Sequence, residues 1–341
     1  MSNFNPNIKF TKKTVPDVKE LFKNIVAGDR FSLSKAITLV ESEKDEHKKI
    51  AKELINICLS KPQNSLRIGI TGSPGVGKST LLESLGLHII GHNKKPAILA
   101  VDPSSNKTKG SILGDKTRMN SLSISEEAFI RPSPSGSTLG GVAQKTRESI
   151  ILSETAGFNP VFIETVGVGQ SEIAVHSMTD LFILLIQPGS GDEIQGIKRG
   201  IMEMADIIVI NKADKDNIIK AKTSYNHYAN AMRLFGQKEN GWTTEIMMTS
   251  AIENTGVNKL WEIIKKYEKH VKSTGFFEEK RRKQNINWFH DYLFKRILDI
   301  YKSDDKLSKE FDLNEGKVAK GILSPYQAGD ILFNLLVKKE K

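Results

Sequence analysis

The chain has 341 residues and a formal net charge of +10, because 50 Lys and Arg outnumber 40 Asp and Glu. Both signs of charge are mixed along the chain, without a long basic tract or interleaved aromatic residues, so we expect phosphate ligands and acidic partners and no nucleic acid. The single cysteine, Cys58, excludes an internal disulfide framework and any Cys-x-x-Cys metal site.

The first part of the chain is predicted to be helical. The opening residues lack the apolar core of a signal peptide, and no stretch reaches about 18 consecutive apolar residues, so we expect a cytoplasmic protein with no membrane partner. From Val18 to Leu59 apolar residues recur at helical spacing, and Ser32 or Ser34 is the expected cap of the second helix. Residues 1–62 are therefore predicted to form a helical extension packed on the next domain.

Residues 63–274 alternate short apolar runs with amphipathic segments. This alternation predicts an α/β domain with a doubly wound, mainly parallel sheet, in which ligands bind beyond the carboxyl ends of the strands. Strands are predicted at 66–71, 97–101, 161–164, 181–186, 207–210 and 245–248, and helices at 78–90, 141–156, 194–204, 218–234 and 257–270.

A phosphate-binding loop follows the first predicted strand. The glycines of the pattern G-x-x-x-x-G-K-[ST] let backbone N–H groups turn toward phosphates, the lysine supplies a cation for the β- and γ-phosphates, and the hydroxyl after it can ligate Mg²⁺. The start of the following helix adds a partial positive charge. The pattern is matched in full by Gly72, Ser73, Pro74, Gly75, Val76, Gly77, Lys78, Ser79 and Thr80.

Acidic residues at strand ends are the candidates for a magnesium site. Glu164 ends the third predicted strand, where its carboxylate can hold Mg²⁺ or a Mg²⁺-bound water, and Gly167 can place its N–H on the γ-phosphate. Asp102 ends the second strand, and Asp115 lies in the polar loop that follows. Either carboxylate can complete an oxygen-rich octahedral shell.

Two later segments predict recognition of guanine. Asn211, Lys212 and Asp214 form the motif N-K-x-D after an apolar run, and the carboxylate of Asp214 can accept hydrogen bonds from N1–H and the exocyclic amine of guanine, which adenine does not offer. Ser250 and Ala251, after the last predicted strand, are a weaker match to a loop whose backbone contacts the guanine oxygen. The sequence therefore predicts GTP and GDP as ligands.

Residues 275–341 form a charged, aromatic-bearing stretch with a break near Ser303 to Asp305. Ser324 and Pro325 open a last predicted helix whose apolar face includes Ala328 and Ile331. Helices with so much aromatic surface need a partner, which is either the rest of this chain or a second copy related by a two-fold axis.

Taken together, the motifs closely resemble the MeaB/ArgK group, GTPase chaperones of methylmalonyl-CoA mutase. The pieces that carry the resemblance span most of the chain: GSPGVGKST, AVDPSS, GSILGDKTRM, FIETVGVGQSE, PGSGDEIQGIKRG and NKAD. The resemblance implies a P-loop GTPase of the SIMIBI class and a homodimer joined through the C-terminal helices. It further implies GTP hydrolysis that gates transfer of adenosylcobalamin into the mutase, with Mg²⁺ held by Ser79, Asp102, Asp115 and Glu164.

The resemblance also suggests a third switch at Gly189 to Lys198, with Gln195 and Lys198 responding to the nucleotide. Catalysis is expected to depend on Lys78 and on charge neutralisation, with slow basal turnover because Val168, after the switch glycine, cannot orient water. Lys198 and Gln195 are the further catalytic candidates, because we expect the mutase to accelerate hydrolysis by pushing the third switch toward the phosphates. Three other interpretations of the protein's function stay open. The first is an ATP-using kinase linked to amino-acid transport, the second a metal-insertion GTPase, and the third a scaffold for which hydrolysis matters little.

Overall fold

A computed structural model describes residues 16–62, 64–102, 119–134, 139–165, 171–189 and 199–339. Seven strands in this part of the chain form one sheet, and every neighbouring pair runs parallel. The strands are β1 (Arg67–Gly72), β2 (Ala97–Asp102), β3 (Phe129–Pro134), β4 (Val161–Thr165), β5 (Leu181–Ile186), β6 (Ile207–Ile210) and β7 (Glu245–Met248). Their order is β3-β2-β4-β1-β5-β6-β7, which confirms the predicted doubly wound, parallel architecture.

The central strands are buried on both faces. Every residue of β4, β5 and β6 is buried, as expected for parallel strands that helices cover on each side. β1 lies between β4 and β5, and Ile70 pairs in register with Glu164 on β4. The carboxyl ends of β1 and β4 therefore meet at one edge, where the predicted nucleotide motifs lie.

Strand β3 was not among the predicted strands, so the assignment of strands from the sequence is wrong at this segment. Its sequence is FIRPSP, and two prolines obscure a short apolar run. Proline cannot donate to a strand ladder, so it is confined to edge strands and bulges. β3 pairs only with β2 at one end of the sheet, which is where a proline-containing strand is tolerated.

The described residues also form helices before, between and after the strands in sequence. They are α1 (Val18–Val26), α2 (Arg30–Glu41), α3 (Asp45–Leu59), α4 (Lys78–Ile90), α5 (Asn120–Ile124), α6 (Leu139–Thr155), α7 (Ser171–His176), α8 (Arg199–Met204), α9 (Ile218–Arg233), α10 (Val257–Ser273), α11 (Phe276–Ser303), α12 (Asp305–Ala319) and α13 (Pro325–Lys339). A 3₁₀ turn, Lys215–Asn217, precedes α9. No described helix has both the length and the apolar composition needed to cross a bilayer.

The three N-terminal helices pack against α6. Lys145 on α6 donates to the Glu41 carbonyl at 2.9 Å, and the Glu41 carboxylate pairs with Arg131 on β3. The cap of α2 is Asp29, whose carboxylate accepts from the backbone N–H of Ser32 at 2.9 Å. The predicted serine cap is wrong because α2 begins at Arg30, which places Ser32 inside the first turn.

Contacts divide the chain into two compact units, Met1–Lys280 and Arg281–Lys341. Within the second unit, α11 ends at Ser303 and α12 begins at Asp305, so the predicted break is present. Asp304 caps α12 by accepting from two backbone N–H groups at 3.0–3.1 Å. Tyr301 donates to the Leu332 carbonyl of α13 at 2.7 Å.

Candidate nucleotide-binding site

The predicted phosphate loop joins the central strand β1 to α4. Gly75 (φ 79°) and Gly77 (φ 93°) adopt left-handed backbone conformations, which cost free energy in residues that have a Cβ. At Gly77 a Cβ would also lie 2.6 Å from Asn211 Nδ2. The loop therefore needs glycine at position 77 both for its backbone conformation and for the close approach of a second segment. The first turn of α4 supplies N–H groups and a helix dipole beside the loop.

Lys78 is buried at the start of α4 and spans the phosphate loop. Its Nζ donates to the Gly72 carbonyl at 2.7 Å and to the Ser73 carbonyl at 3.2 Å. Burial lowers the pKa of Lys78, while the carboxylates of Glu164 and Glu172 act in the opposite direction. The loop carbonyls thus orient an ammonium group that can donate charge-assisted hydrogen bonds to phosphate oxygens.

Ser79 and Glu164 form the described part of the predicted metal site. Ser79 Oγ donates to Glu164 Oε1 at 3.0 Å, and Glu164 is buried at the end of β4. In an octahedral shell with metal–oxygen distances of about 2.0–2.1 Å, neighbouring ligand atoms lie about 2.9 Å apart. The two oxygens therefore have the spacing and the hard-donor chemistry of adjacent Mg²⁺ ligands.

Asn211 belongs to the motif that was predicted to bind the base, and its side chain stabilises the phosphate loop. Its Nδ2 donates to the Val76 carbonyl at 2.9 Å, and its Oδ1 accepts from Thr249 Oγ1 at 3.1 Å. The side chain is fully buried, as is that of Val76. The neighbouring Lys212 has a left-handed backbone (φ 58°), and its Nζ donates to Gln187 Oε1 at 3.3 Å. One amide thus connects the segments after β6 and β7 to the loop after β1.

Asp214 and Ser250, the two segments predicted to recognise guanine, are in contact. Ser250 Oγ donates to Asp214 Oδ2 at 2.7 Å, and the backbone N–H of Ala213 donates to the Thr249 carbonyl at 2.9 Å. Ser250 also exchanges backbone hydrogen bonds with Thr255, both at 3.0 Å, which closes the loop after β7. The carboxylate is therefore oriented by a side chain of the second predicted segment.

Several predicted site residues lie outside the described residues. They are Asp115, Gly167, Gln195 and Lys198, together with the side chain of Asp102. Pro74, Gly75 and Thr80 are exposed at the mouth of the phosphate loop, whereas Ala251 is buried. The structure therefore brings together the phosphate loop, Glu164 and the two guanine segments.

Sequence reasoning missed three residues at this site. Glu172 is buried in the first turn of α7, close enough for its charge to oppose the lowering of the pKa of Lys78 by burial. Thr249 holds Asn211, and Ser84 on α4 donates to the Ala251 carbonyl at 2.8 Å. Glu172 lies in the stretch FIETVGVGQSE, on which the family resemblance rests, so the sequence could have indicated that it belongs to the site. Ser84 and Thr249 gave none, because their partners are distant in sequence.

Comparison with known proteins decides the family. The model of the family described as "Methylmalonyl Co-A mutase-associated GTPase MeaB" matches residues 33–306. The chain belongs to this family. It is therefore a P-loop GTPase, as the phosphate loop and the guanine segments predicted, and the suspected resemblance is confirmed.

Individual relatives agree with this assignment. GTPase ArgK of Escherichia coli is 40% identical over 306 residues, which cover 90% of this chain and 92% of that protein. The mouse protein named methylmalonic aciduria type A homolog, mitochondrial, is 39% identical over 325 residues, covering 92% of this chain and 78% of that protein. A crystal structure described as an LAO/AO transport system kinase superposes with a TM-score of 0.76 at 32% identity, covering 95% of this chain and 99% of the other.

Proposed function

We propose that this GTPase is a cytoplasmic chaperone that gates the loading of adenosylcobalamin into an acyl-CoA mutase of the methylmalonyl-CoA mutase type and protects that mutase. The observation that carries the proposal is the family match across residues 33–306, because the family's description couples a GTPase to methylmalonyl-CoA mutase. A relative named for methylmalonic aciduria supports the same assignment. GTP and GDP are the proposed ligands, with Mg²⁺ as the cofactor.

In the proposed mechanism the chain positions GTP and neutralises developing charge. Lys78 and the amides of the phosphate loop stabilise negative charge on the β–γ bridge and the γ-phosphate oxygens while water attacks in line. Bound Mg²⁺ would supply further charge neutralisation at the β- and γ-phosphates. Ser79 and Glu164 would hold it together with Asp102 and Asp115. The carboxylate of Asp214 reads the base, and Gly167 contacts the γ-phosphate.

The partner is proposed to act through the third switch, Gly189 to Lys198. Gln195 and Lys198 are the proposed nucleotide-responsive residues, and Lys198 would approach the phosphates when the mutase binds. Lys198→Ala should therefore keep the basal hydrolysis rate and lose the stimulation by mutase, measured as phosphate release. Lys222→Ala, an exposed lysine on α9, is the matched control. A fully stimulated Lys198→Ala variant would contradict the role of Lys198.

A homodimer through the C-terminal helices is part of the proposal. Within the second unit, α11 exposes large apolar side chains, among them Phe289 at 60% and Phe294 at 65% exposure. Burial of such residues is the main source of affinity in two-fold interfaces. Phe294→Asp should shift the sedimentation of the protein toward the monomer, and an unchanged dimer would exclude this helix face.

The chaperone role is tested by capture of the mutase. The immobilised protein is offered purified methylmalonyl-CoA mutase with GDP or with a non-hydrolysable GTP analogue, and a cobalamin-independent acyl-CoA enzyme serves as the control. We expect capture of the mutase alone, with an affinity that depends on the nucleotide. Transfer of adenosylcobalamin is then followed by its absorbance spectrum. Failure to capture the mutase in either nucleotide state would refute the proposal.

A kinase linked to amino-acid transport is a second candidate, because a structure described as an LAO/AO transport system kinase is 32% identical and covers 95% of this chain. A kinase of this kind would use ATP as its substrate, whereas the carboxylate of Asp214, which is proposed to contact the base, favours GTP. Competition between GTP and ATP for the site separates the two functions. The metal-insertion alternative gains no support, since the described residues contain no group of three or more His, Cys, Asp or Glu placed to hold a metal ion.

A further inference from the structure

Ser84 joins the helix of the phosphate loop to the loop that contacts the base. It lies on α4, five residues after Ser79, which corresponds to about 7.5 Å along the helix axis. Its Oγ donates to the carbonyl of Ala251 at 2.8 Å. Ser84 is half-buried and Ala251 is buried, so water competes poorly for this hydrogen bond.

Several backbone contacts besides the Ser84 bond fix the loop between β7 and α10. Its beginning is fixed by the backbone N–H of Thr249, which donates to the Ile210 carbonyl at 2.9 Å. Its end is fixed at Gly256 (φ 76°), where a Cβ would lie 2.6 Å from the Met248 carbonyl. Ser250 and Thr255 pair with each other inside the loop. Among the side-chain hydrogen bonds of the described residues, the Ser84 bond connects this loop to the phosphate helix α4.

The carbonyl held by Ser84 belongs to the residue next to Ser250. Ser250 in turn donates to Asp214 Oδ2 at 2.7 Å. A chain of contacts therefore runs from α4 through Ala251 and Ser250 to the carboxylate that is proposed to read guanine. Lys78 and Ser79 take no part in this series of contacts, because their side chains bond to Gly72, Ser73 and Glu164.

We infer that Ser84 is a positioning residue for guanine recognition. It fixes the base loop on the phosphate helix, so that Ala251 and Asp214 meet the base at a set distance from the phosphates. The inference rests on the proposed reading of guanine by Asp214 and is independent of any mutase partner. Loss of the Ser84 hydroxyl loosens the base contacts and spares the phosphate contacts.

The test compares GDP with ADP, which has the same phosphates and a different base. In Ser84→Ala we expect GDP affinity to fall about three- to tenfold, the effect of one neutral hydrogen bond, in isothermal titration. ADP affinity, measured by competition, should stay within about twofold of the wild type, since its binding relies on the phosphates. The KM for GTP should rise by the same factor as the GDP dissociation constant, and kcat should not change.

Two further variants separate this role from a general effect on folding. Ser84→Thr keeps a hydroxyl and should restore GDP affinity, whereas an equal loss in Ser84→Thr would assign the effect to packing of α4 and overturn the inference. Ser60→Ala removes an exposed serine–carbonyl bond, from Ser60 Oγ to the Ile57 carbonyl at 2.7 Å at the end of α3, and should leave nucleotide binding unchanged.

The remaining outcomes are equally decisive. Wild-type GDP affinity in Ser84→Ala, or an equal loss for GDP and ADP, would overturn the role of Ser84 and leave the guanine assignment intact. A wild-type protein that binds GDP and ADP equally well would instead refute the proposed reading of guanine. The two failures are therefore distinguishable.

Discussion

Replacement of Asp214 by asparagine tests the proposed choice of nucleotide most directly. Ser250 donates to Oδ2 at 2.7 Å, which orients the carboxylate and leaves Oδ1 and the second acceptor site of Oδ2 for a ligand. Hydrogen bonds from guanine N1–H and the exocyclic amine are assisted by the carboxylate charge and contribute about 1.5–3 kcal/mol each. We therefore expect Asp214→Asn to lose about 3–6 kcal/mol of GDP binding, which is roughly 10²- to 10⁴-fold in affinity.

The same change should create a preference for xanthine. An amide presents one acceptor and one donor, and xanthine offers N1–H together with a carbonyl at C2, so XDP should bind the variant more tightly than GDP does. Isothermal titration with both nucleotides measures the reversal. Asp216→Asn, on the exposed 3₁₀ turn, is the matched control and should keep the preference for GDP. Undiminished GDP affinity in Asp214→Asn would refute the assignment of this carboxylate to the base.

Three other predictions concern the metal, the stability of the fold and its pH dependence. Ser79→Ala should raise the Mg²⁺ concentration for half-maximal GTP hydrolysis about tenfold or more, and an unchanged magnesium titration would contradict the metal assignment. Glu154→Ala removes both carboxylate acceptors of the Arg67 guanidinium, at 2.6 and 2.9 Å, and should lower the free energy of unfolding in urea by about 3–5 kcal/mol. Glu127→Ala, in an exposed ion pair, should cost about 1 kcal/mol or less, and equal losses would argue against a special role of burial. Burial, reinforced by nearby lysines, lowers the pKa of His176 from 6.5 to about 4. Between these two pH values the unfolded chain binds a proton that the folded chain does not. The free energy of unfolding should therefore fall by up to about 3 kcal/mol as the pH drops from 6.5 to about 4. In urea unfolding series across this range, His176→Gln should flatten the pH dependence, and parallel curves for the two proteins would contradict it.

The parts of the fold that the sequence predicted are those with strong local constraints. Continuous apolar runs such as Leu181–Ile186 can be buried only between two helical layers, so their assignment to central parallel strands follows from burial alone. The phosphate loop was predictable for a similar reason, since its glycine at position 77 has to adopt a left-handed conformation next to a side chain.

The parts that the sequence did not predict depend on distant partners. β3 is stabilised by pairing with β2 and carries prolines that local propensity counts against a strand. The α2 cap was misplaced by a few residues, the usual uncertainty of helix boundaries, because Asp29 and Ser32 are both good caps by composition. The Ser84–Ala251 bond links residues 167 positions apart, so no local pattern could indicate it.

Asn211 shows how one motif can serve two ends of the nucleotide. Its amide donates to the Val76 carbonyl in the phosphate loop, and its oxygen accepts from Thr249, so both polar atoms are engaged by protein groups. Asn211→Ala would leave the buried Val76 carbonyl without this donor and should loosen the loop that surrounds the phosphates. We therefore expect about equal losses of GDP and ADP affinity in Asn211→Ala, in contrast to Asp214→Asn, which should weaken GDP binding alone. A loss confined to GDP would instead mean that Asn211 acts on the base, and its contacts with the phosphate loop would have no functional weight.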